Sequence, residues 1–136
     1  MRYLIDTNVL VNIIENDFIS DDVYAILYDY SNQICISSES IKEFIMLVQA
    51  GKISEKKDKL IFDIFDFVEN ELGYTVKYIA KEHLRTFAKL DLIEGHNDPT
   101  DRLIIAQALT EKMPVISSDK KFPKYRKQGL DLIFNH

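Results

Sequence analysis

Met1-Arg-Tyr-Leu-Ile-Asp6 opens the chain as a short apolar run that ends in an acid. Two similar runs follow, Gln33-Ile-Cys-Ile-Ser37 and Pro114-Val-Ile-Ser117. None of the three shows the alternation of polar and apolar residues that marks a strand with one solvated face, so we interpret them as strands buried on both faces. Such strands are typical of a parallel sheet covered by helices on both sides. The runs therefore predict an α/β fold, a three-layer α/β/α sandwich with a central, mostly parallel sheet.

Helical patterns fill the segments between these runs. The longest has apolar residues at helical spacing and a glycine, Gly73, just past its end. Ser40 and Glu43 have the spacing of a capping box, and Asp98-Pro99 predicts a helix N-terminus. Two more strands are predicted at residues 74–79 and 130–134. Helices are predicted at residues 7–15, 21–30, 38–48, 54–72, 81–90 and 98–112.

Length and composition restrict the class of protein. A chain of 136 residues that is 46% hydrophobic and 29% charged predicts one domain, residues 1–136, with a core of its own. No apolar run approaches the ~20 residues of a membrane span and no leader pattern precedes Asp6, so we expect a cytosolic protein with no membrane partner. The single cysteine, Cys35, excludes a disulfide framework within the chain. A net charge of −5 argues against wholesale binding of polyanions.

Acidic residues follow several of the predicted strands. Asp6 ends the first strand, Glu43 lies on the helix after the second, and Asp119 follows the strand at 114–117. Asp98 and Asp101 lie one turn apart at the start of a helix. Sites in open α/β sheets form beyond the carboxyl ends of the strands, so we expect these acids to converge. Clustered carboxylates repel unless a cation is present, and hard divalent ions such as Mg²⁺ prefer oxygen ligands. Two such ions can catalyse phosphodiester displacement without a side-chain nucleophile.

Each acid also has a simpler interpretation when it is taken alone. Asp6 and Asp98 would serve as helix caps, and Asp101 would favour the positive end of its helix. Glu43 would be a capping partner or an exposed helix residue, and Asp119 a turn residue. The hypothesis of a metal site therefore depends on the set rather than on any one member.

Four blocks in order along the chain resemble the PIN-domain nucleases, and among them the VapC-type toxins of type II toxin–antitoxin pairs. They are Leu4-Ile-Asp-Thr-Asn-Val-Leu10, Ser37-Ser-Glu-Ser-Ile-Lys-Glu43, His96-Asn-Asp-Pro-Thr-Asp-Arg-Leu-Ile-Ile-Ala-Gln-Ala108 and Val115-Ile-Ser-Ser-Asp-Lys-Lys-Phe122. The third block is the most specific, because an Asp-Pro-x-Asp-Arg run leads directly into an apolar helix. The resemblance extends through nearly the whole chain.

The resemblance implies a set of catalytic acids that bind the metal, namely Asp6, Glu43, Asp101 and Asp119. Asp98 matches the first acid of the third block and is expected to cap a helix or to support the ligands. An aromatic residue often precedes the matching glutamate in the family, whereas this chain has Lys42. Glu39, four residues before Glu43 on the same helical face, is therefore kept as an alternative to it.

The function implied by the resemblance is a Mg²⁺- or Mn²⁺-dependent endoribonuclease that hydrolyses RNA and leaves 5′-phosphate and 3′-hydroxyl ends. A homodimer and a small antitoxin are the implied protein partners, with the apolar helices at 9–14 and 41–48 as candidate contact surfaces. Two other functions remain open. One is a non-catalytic binding module of the same fold. The other, a phosphatase of the haloacid-dehalogenase kind, would need an acid at position 8, where this chain has Asn8.

Basic and aromatic residues follow Asp119. They predict either a solvated loop or an edge that tracks RNA phosphates, with Phe122 or Tyr125 stacking on a base. The basic residues are Lys120, Lys121, Lys124, Arg126 and Lys127.

Other polar residues near the predicted site have two interpretations each. Arg102 is expected to pair with an acid or hold a phosphate, and His96 to be a loop histidine or a substrate contact. Thr7 and Asn8 would orient water at the metal or cap a helix. The histidines at 83, 96 and 136 are too scattered for a zinc triad.

Overall fold

The computed structural model describes residues 1–53 and 60–136. Within them no helix is both long and apolar enough to cross a membrane. A π-helical turn spans Phe67–Glu71, and a 3-10 helix spans Phe122–Gln128. The strands are β1 (Arg2–Ile5), β2 (Gln33–Ser37), β3 (Thr75–Lys77), β4 (Val115–Ser117) and β5 (Leu132–Phe134). The helices are α1 (Thr7–Ile14), α2 (Asp21–Leu27), α3 (Ser38–Gln49), α4 (Leu60–Asp66), α5 (Lys81–Lys89) and α6 (Pro99–Glu111).

The five strands form one sheet in the order β3-β2-β1-β4-β5, and every pair is parallel. Strand β1 lies at the centre, with Leu4 opposite Cys35 of β2 and Val115 of β4. The chain builds outward from β1 to β3 on one side and then returns to add β4 and β5 on the other. The direction of winding reverses between β1 and β4, which is the position where open α/β sheets form their ligand crevice.

Two hydrophobic layers cover the sheet, one on each face. Ile5, Ile36 and Ile116 face a layer that includes α1 and α3. Leu4 and Val115, next to them in the chain, face the opposite layer, which includes α6. Successive side chains of a strand point to opposite faces, so these continuous apolar runs supply both layers at once. The predicted three-layer α/β/α sandwich is confirmed.

The element boundaries differ from the predictions in several places. The predicted helix at 21–30 ends at Leu27, and the strand predicted at 74–79 is limited to Thr75–Lys77. The helix predicted at 54–72 lies partly outside the described residues, and the described part is α4 followed by the π-helical turn.

The predicted capping box at Ser40 is wrong. Ser37 caps α3, because its Oγ accepts a hydrogen bond from the Glu39 N–H at 3.1 Å. Ser40 is buried inside the helix. Glu43 is therefore placed beyond the first turn of α3, where no capping role holds its carboxylate.

We predict that Phe44→Ala destabilises the protein by about 3–5 kcal/mol, because Phe44 is fully buried and its loss leaves a cavity. Met46→Ala is a matched control on the same helix, since Met46 is 58% exposed, and we expect a change within about 0.5 kcal/mol. Urea unfolding of the two variants measures both. Equal losses of stability would contradict the packing described here.

Candidate metal centre

Asp6 directly follows β1, and both of its carboxylate oxygens accept hydrogen bonds. Its Oδ1 accepts a hydrogen bond from the Thr7 N–H at 2.8 Å, which caps α1. Its Oδ2 accepts one from the Ser117 hydroxyl, also at 2.8 Å. Ser117 ends β4, the strand beside β1, and its Oγ in turn accepts from the Asp119 N–H at 3.0 Å. One buried hydroxyl thus connects two of the predicted acids across the reversal point of the sheet.

Asp98 and Asp101 lie at the N-terminus of α6, the first as its cap and the second on its first turn. Asp98 is the N-cap, with its Oδ1 accepting from the N–H groups of Thr100 at 2.9 Å and Asp101 at 3.2 Å. The cap predicted at Asp98 is confirmed, and Pro99 occupies the first helical position. Asp101 is only 8% exposed. The positive end of the helix dipole favours acids here.

Glu43 faces these two acids, whereas Glu39 does not belong to either acid group. One ligand atom each of Glu43, Asp98 and Asp101 lies within 4.8 Å of the others. The carboxylate of Glu39 instead pairs with the Lys42 ammonium at 2.8 Å. Of the two glutamates that the sequence left open, Glu43 is the one placed beside Asp101.

Asp119 approaches from the loop after β4. Its Oδ1 accepts from the Lys121 N–H at 2.8 Å, so the turn predicted there is present. Ligand atoms of Asp119, Asp101 and His96 also lie within 4.8 Å of one another. Asp101 is shared by this group and the group with Glu43. The structure therefore brings the predicted acids to one place, and Asp6 joins the two groups through its charge interactions with Glu43 and Asp119.

Burial and mutual repulsion raise the pKa values of the two most enclosed acids. Burial raises the pKa of Asp6 to about 7, against the lowering effect of its hydrogen bonds from Ser117 and Thr7. Burial likewise raises the pKa of Asp101 to about 8, and the charges of Asp6, Asp98, Glu43 and Asp119 add to the shift. Each acid is held out of water among like charges, which favours the neutral form.

The donor set fits a hard divalent cation. The acids supply oxygen ligands, and none of them pairs with a lysine or arginine among the described ion pairs. The Thr7 hydroxyl, next to Asp6, is buried without a hydrogen-bond partner. His96 contacts Asp101 but does not neutralise it, because burial lowers the pKa of the imidazole. Buried carboxylates without a cationic partner are costly, and Mg²⁺ or Mn²⁺ would relieve that cost.

His96 lies in the loop between α5 and α6, as expected, but it is buried there at 1% exposure. Two other predictions around the acids are wrong. Phe122 and Tyr125 are fully buried, so neither ring is available to stack on a base. The local sequence is basic and gave no signal of this burial. Arg102 neither pairs with an acid nor is free for phosphate: its Nη2 donates to the Leu90 carbonyl at 3.0 Å, and its guanidinium lies over a phenylalanine ring.

Two contacts of the site were missed at the sequence level. The hydroxyl of Ser117 holds Asp6, and the hydroxyl of Tyr125 holds His96 at 2.6 Å. Ser117 had one available signal, since it ends a predicted central strand. Tyr125 had none, because 29 residues separate it from His96.

A five-stranded parallel sheet with an acidic crevice at its reversal point defines a class of α/β proteins. Within that class, the sequence profile of the PIN domain matches residues 3–128. The chain therefore belongs to the PIN-domain family. Comparison with curated protein sequences gives no match.

Solved structures share this fold at low sequence identity. A chain of VapBC2 from Rickettsia felis, bound to a DNA fragment from its promoter, is 22% identical with a TM-score of 0.72, and the match covers 100% of both chains. A chain of VapBC-1 from nontypeable Haemophilus influenzae is 16% identical over 98% of both chains, with a TM-score of 0.65. FitAcB from Neisseria gonorrhoeae gives 18% identity, coverage of 98% of this chain and 96% of that one, and a TM-score of 0.65.

We predict that the metal-free protein loses stability as the pH rises from about 4 to about 7, to an extent that depends on Asp6. The unfolded carboxyl ionises near its ordinary value, whereas folded Asp6 keeps its proton to about pH 7. The folded state therefore binds more protons in this window, and the stability linked to that proton is lost as the pH rises through the folded pKa. In Asp6→Asn this contribution, on the order of a few kcal/mol, should vanish.

Urea unfolding in EDTA at the two ends of that range measures the effect. The difference between wild type and Asp6→Asn removes the contribution of other titrating groups, such as His96. Asp131→Asn, at an exposed acid in the loop before β5, is the control and should keep the slope of the wild type. If the unfolding free energy of Asp6→Asn changes with pH as much as that of the wild type, then Asp6 titrates in the folded protein as it does in the unfolded chain.

Proposed function

We propose that this chain is a metal-dependent endoribonuclease that hydrolyses RNA phosphodiester bonds, with residues 1–136 acting as one nuclease domain. The observation that carries the proposal is the convergence of carboxylates, two of them buried, at the sheet's reversal point, where none pairs with a lysine or arginine among the described ion pairs. Membership of the PIN-domain family supports it.

In this proposal Asp6, Glu43, Asp101 and Asp119 hold Mg²⁺ or Mn²⁺. When bound, such a cation lowers the pKa of an attacking water and neutralises charge on the phosphodiester. Thr7 and Ser117 fix the two oxygens of Asp6, and so orient the carboxylate before the cation arrives. Asp98 keeps its role as the cap of α6, which places Asp101.

The chain's residues favour attack by water rather than by a side chain. The single cysteine, Cys35, is buried within β2. The hydroxyl of Ser117 is committed to Asp6 and Asp119. In the proposed reaction water attacks the phosphorus and the bond from phosphorus to the 3′ oxygen breaks, which leaves a 5′-phosphate and a 3′-hydroxyl.

An exposed basic segment beside the site would bind the RNA backbone. It begins directly after Asp119 and continues along the 3-10 helix, with its charged side chains exposed and its two aromatic rings buried. Lysine and arginine neutralise phosphates without reading sequence. The basic residues are Lys120, Lys121, Lys124, Arg126 and Lys127.

We predict that the purified protein cleaves RNA in Mg²⁺ or Mn²⁺ and stops when EDTA is added. Asp6→Asn and Asp101→Asn should abolish cleavage, because each removes one charge from the ligand set. Asn still accepts the hydrogen bond that caps a helix, so Asp6→Asn separates capping from metal binding. Asp131→Asn should cleave as the wild type does.

The same variants provide a readout that is independent of activity. Mn²⁺ should stabilise the wild type by about 2.7 kcal/mol at a hundredfold excess over the dissociation constant, and should stabilise Asp6→Asn far less. Without metal and above about pH 7, where folded Asp6 is ionised, Asp6→Asn should be at least as stable as the wild type, because one repelling charge is gone. Cleavage that survives EDTA, or an Asp6→Asn protein that still cleaves RNA and still gains stability from Mn²⁺, would place the site elsewhere.

A small antitoxin and a second copy of the chain are the proposed protein partners, in the cytoplasm. The support is that the similar solved structures include toxin–antitoxin complexes by their descriptions. Most apolar residues of the helices at 9–14 and 41–48 pack in the core, and Met46 is their one strongly exposed apolar side chain. Other exposed aromatic residues lie around α2: Phe18, Tyr24, Tyr28 and Tyr30.

We predict that the protein is a dimer in solution and copurifies with a small protein encoded beside it. Light scattering at tens of micromolar measures the first, and tagged expression of the whole locus measures the second. Addition of the captured protein should inhibit RNA cleavage. A protein that stays monomeric would contradict the proposed homodimer. A locus that yields no copurifying protein would contradict the proposed antitoxin.

A further inference from the structure

His96 lies between Asp101 and Tyr125 and is 1% exposed. Its Nε2 is 3.2 Å from Oδ2 of Asp101, and its Nδ1 is 2.6 Å from the Tyr125 hydroxyl. The two rings meet edge to face, with centroids 5.3 Å apart. The imidazole is buried, both of its nitrogens have a partner, and it packs against the tyrosine ring. Together these contacts hold the imidazole in one orientation.

The proton on the imidazole can be placed by donor and acceptor chemistry. A carboxylate that binds a cation is ionised and only accepts hydrogen bonds. If Nδ1 carried the proton, the lone pair of Nε2 would face the acceptor Oδ2 of Asp101, and two acceptors would meet in a buried site. When Asp101 is ionised, as cation binding requires, Nε2–H therefore donates to Asp101, and Nδ1 accepts from the Tyr125 hydroxyl.

The protonation of Tyr125 supports this direction. Burial raises the pKa of the Tyr125 hydroxyl, with Arg102 opposing the shift, so the tyrosine keeps its proton. The hydroxyl of a protonated tyrosine is also a donor, so it can direct its proton toward Nδ1 of His96.

We propose that His96, oriented by Tyr125, is a positioning residue that fixes the carboxylate of Asp101 for binding of the divalent cation. The proposal rests on the proposed function. The hydrogen bond occupies Oδ2 and leaves Oδ1 of Asp101 for the cation. Partners of this kind, one step behind a metal ligand, hold its orientation and raise its affinity for the metal.

The competing role is that His96 is itself a ligand, since its ligand atom lies within 4.8 Å of those of Asp101 and Asp119. Two observations favour positioning. Ligation through Nε2 would require that nitrogen to lose the proton that it donates to Asp101. The other groups around the site are carboxylates, and Mg²⁺ prefers oxygen to nitrogen.

Three variants and one control test the proposal. His96→Ala removes the donor, His96→Gln returns an N–H donor near the position of Nε2, and Tyr125→Phe removes one hydroxyl while keeping the buried ring. Tyr74→Phe removes a hydroxyl from the other hydrophobic layer, far along the chain from the acids. The first readout is the apparent dissociation constant for Mn²⁺, from its effect on the unfolding midpoint. The second is kcat and KM for RNA, measured separately.

His96→Ala should weaken Mn²⁺ binding roughly 10- to 100-fold and lower kcat with little change in KM. His96→Gln should recover most of that loss, and Tyr125→Phe should weaken binding about 10-fold. Tyr74→Phe should bind Mn²⁺ as the wild type does. If His96→Ala fails to fold, Tyr125→Phe and His96→Gln still decide the outcome.

The proton position gives a spectroscopic test. In ¹⁵N-histidine NMR spectra of the wild type, Nε2 of His96 should stay protonated when Mg²⁺ is added. Loss of that proton on addition of Mg²⁺ would make His96 a ligand and overturn the positioning role.

The outcomes separate this inference from the proposed function. A wild type that binds Mn²⁺ and cleaves RNA, with His96→Ala and Tyr125→Phe unchanged, overturns the inference alone. A wild type that binds no Mn²⁺ and leaves RNA intact overturns both.

Discussion

The carboxylates of Asp6 and Asp101 are buried among other carboxylates, and no lysine or arginine among the described ion pairs compensates them. Their raised pKa values express the cost of that arrangement, which a proton or a bound cation would relieve. The protein holds the acids in place with neutral donors instead. Thr7 and Ser117 hold Asp6, and His96 holds Asp101. These hydrogen bonds keep the like charges close together until a cation binds.

The sheet order makes the convergence possible. Because β1 and β4 are neighbours, Asp6 and Asp119 emerge side by side, and the Ser117 hydroxyl joins them. Helix α6 adds Asp101 from its N-terminal turn, where the helix dipole favours an acid. The two hydrophobic layers bury the strands on both faces and leave their carboxyl ends as the place where polar groups gather.

The strands and most of the helices could be predicted because their signals are local, whereas the choice of the four acids rested on the resemblance to the PIN-domain nucleases. A continuous apolar run marks a doubly buried strand, and Asp98-Pro99 marks a helix start. The errors arose where a distant partner decides the structure. Phe122 and Tyr125 lie in a basic stretch of sequence, yet their rings pack into the hydrophobic layer with α6. Arg102 donates a hydrogen bond to the Leu90 carbonyl instead of pairing with an acid. Ser37 displaced Ser40 as the cap because the end of β2 fixed where α3 begins. Only the fold shows that Glu39 pairs with Lys42 while Glu43 faces Asp101.

The central claim is that the converging acids form one cation site. A crystal of the wild type soaked in Mn²⁺ tests it directly, because the anomalous scattering of manganese locates the ion without reference to the protein. The account predicts an anomalous peak bounded by the carboxylates of Asp6, Glu43, Asp101 and Asp119, with Nε2 of His96 still within hydrogen-bond distance of Asp101. A fully soaked crystal with no peak among these acids, or with its strongest peak at another part of the surface, would contradict it.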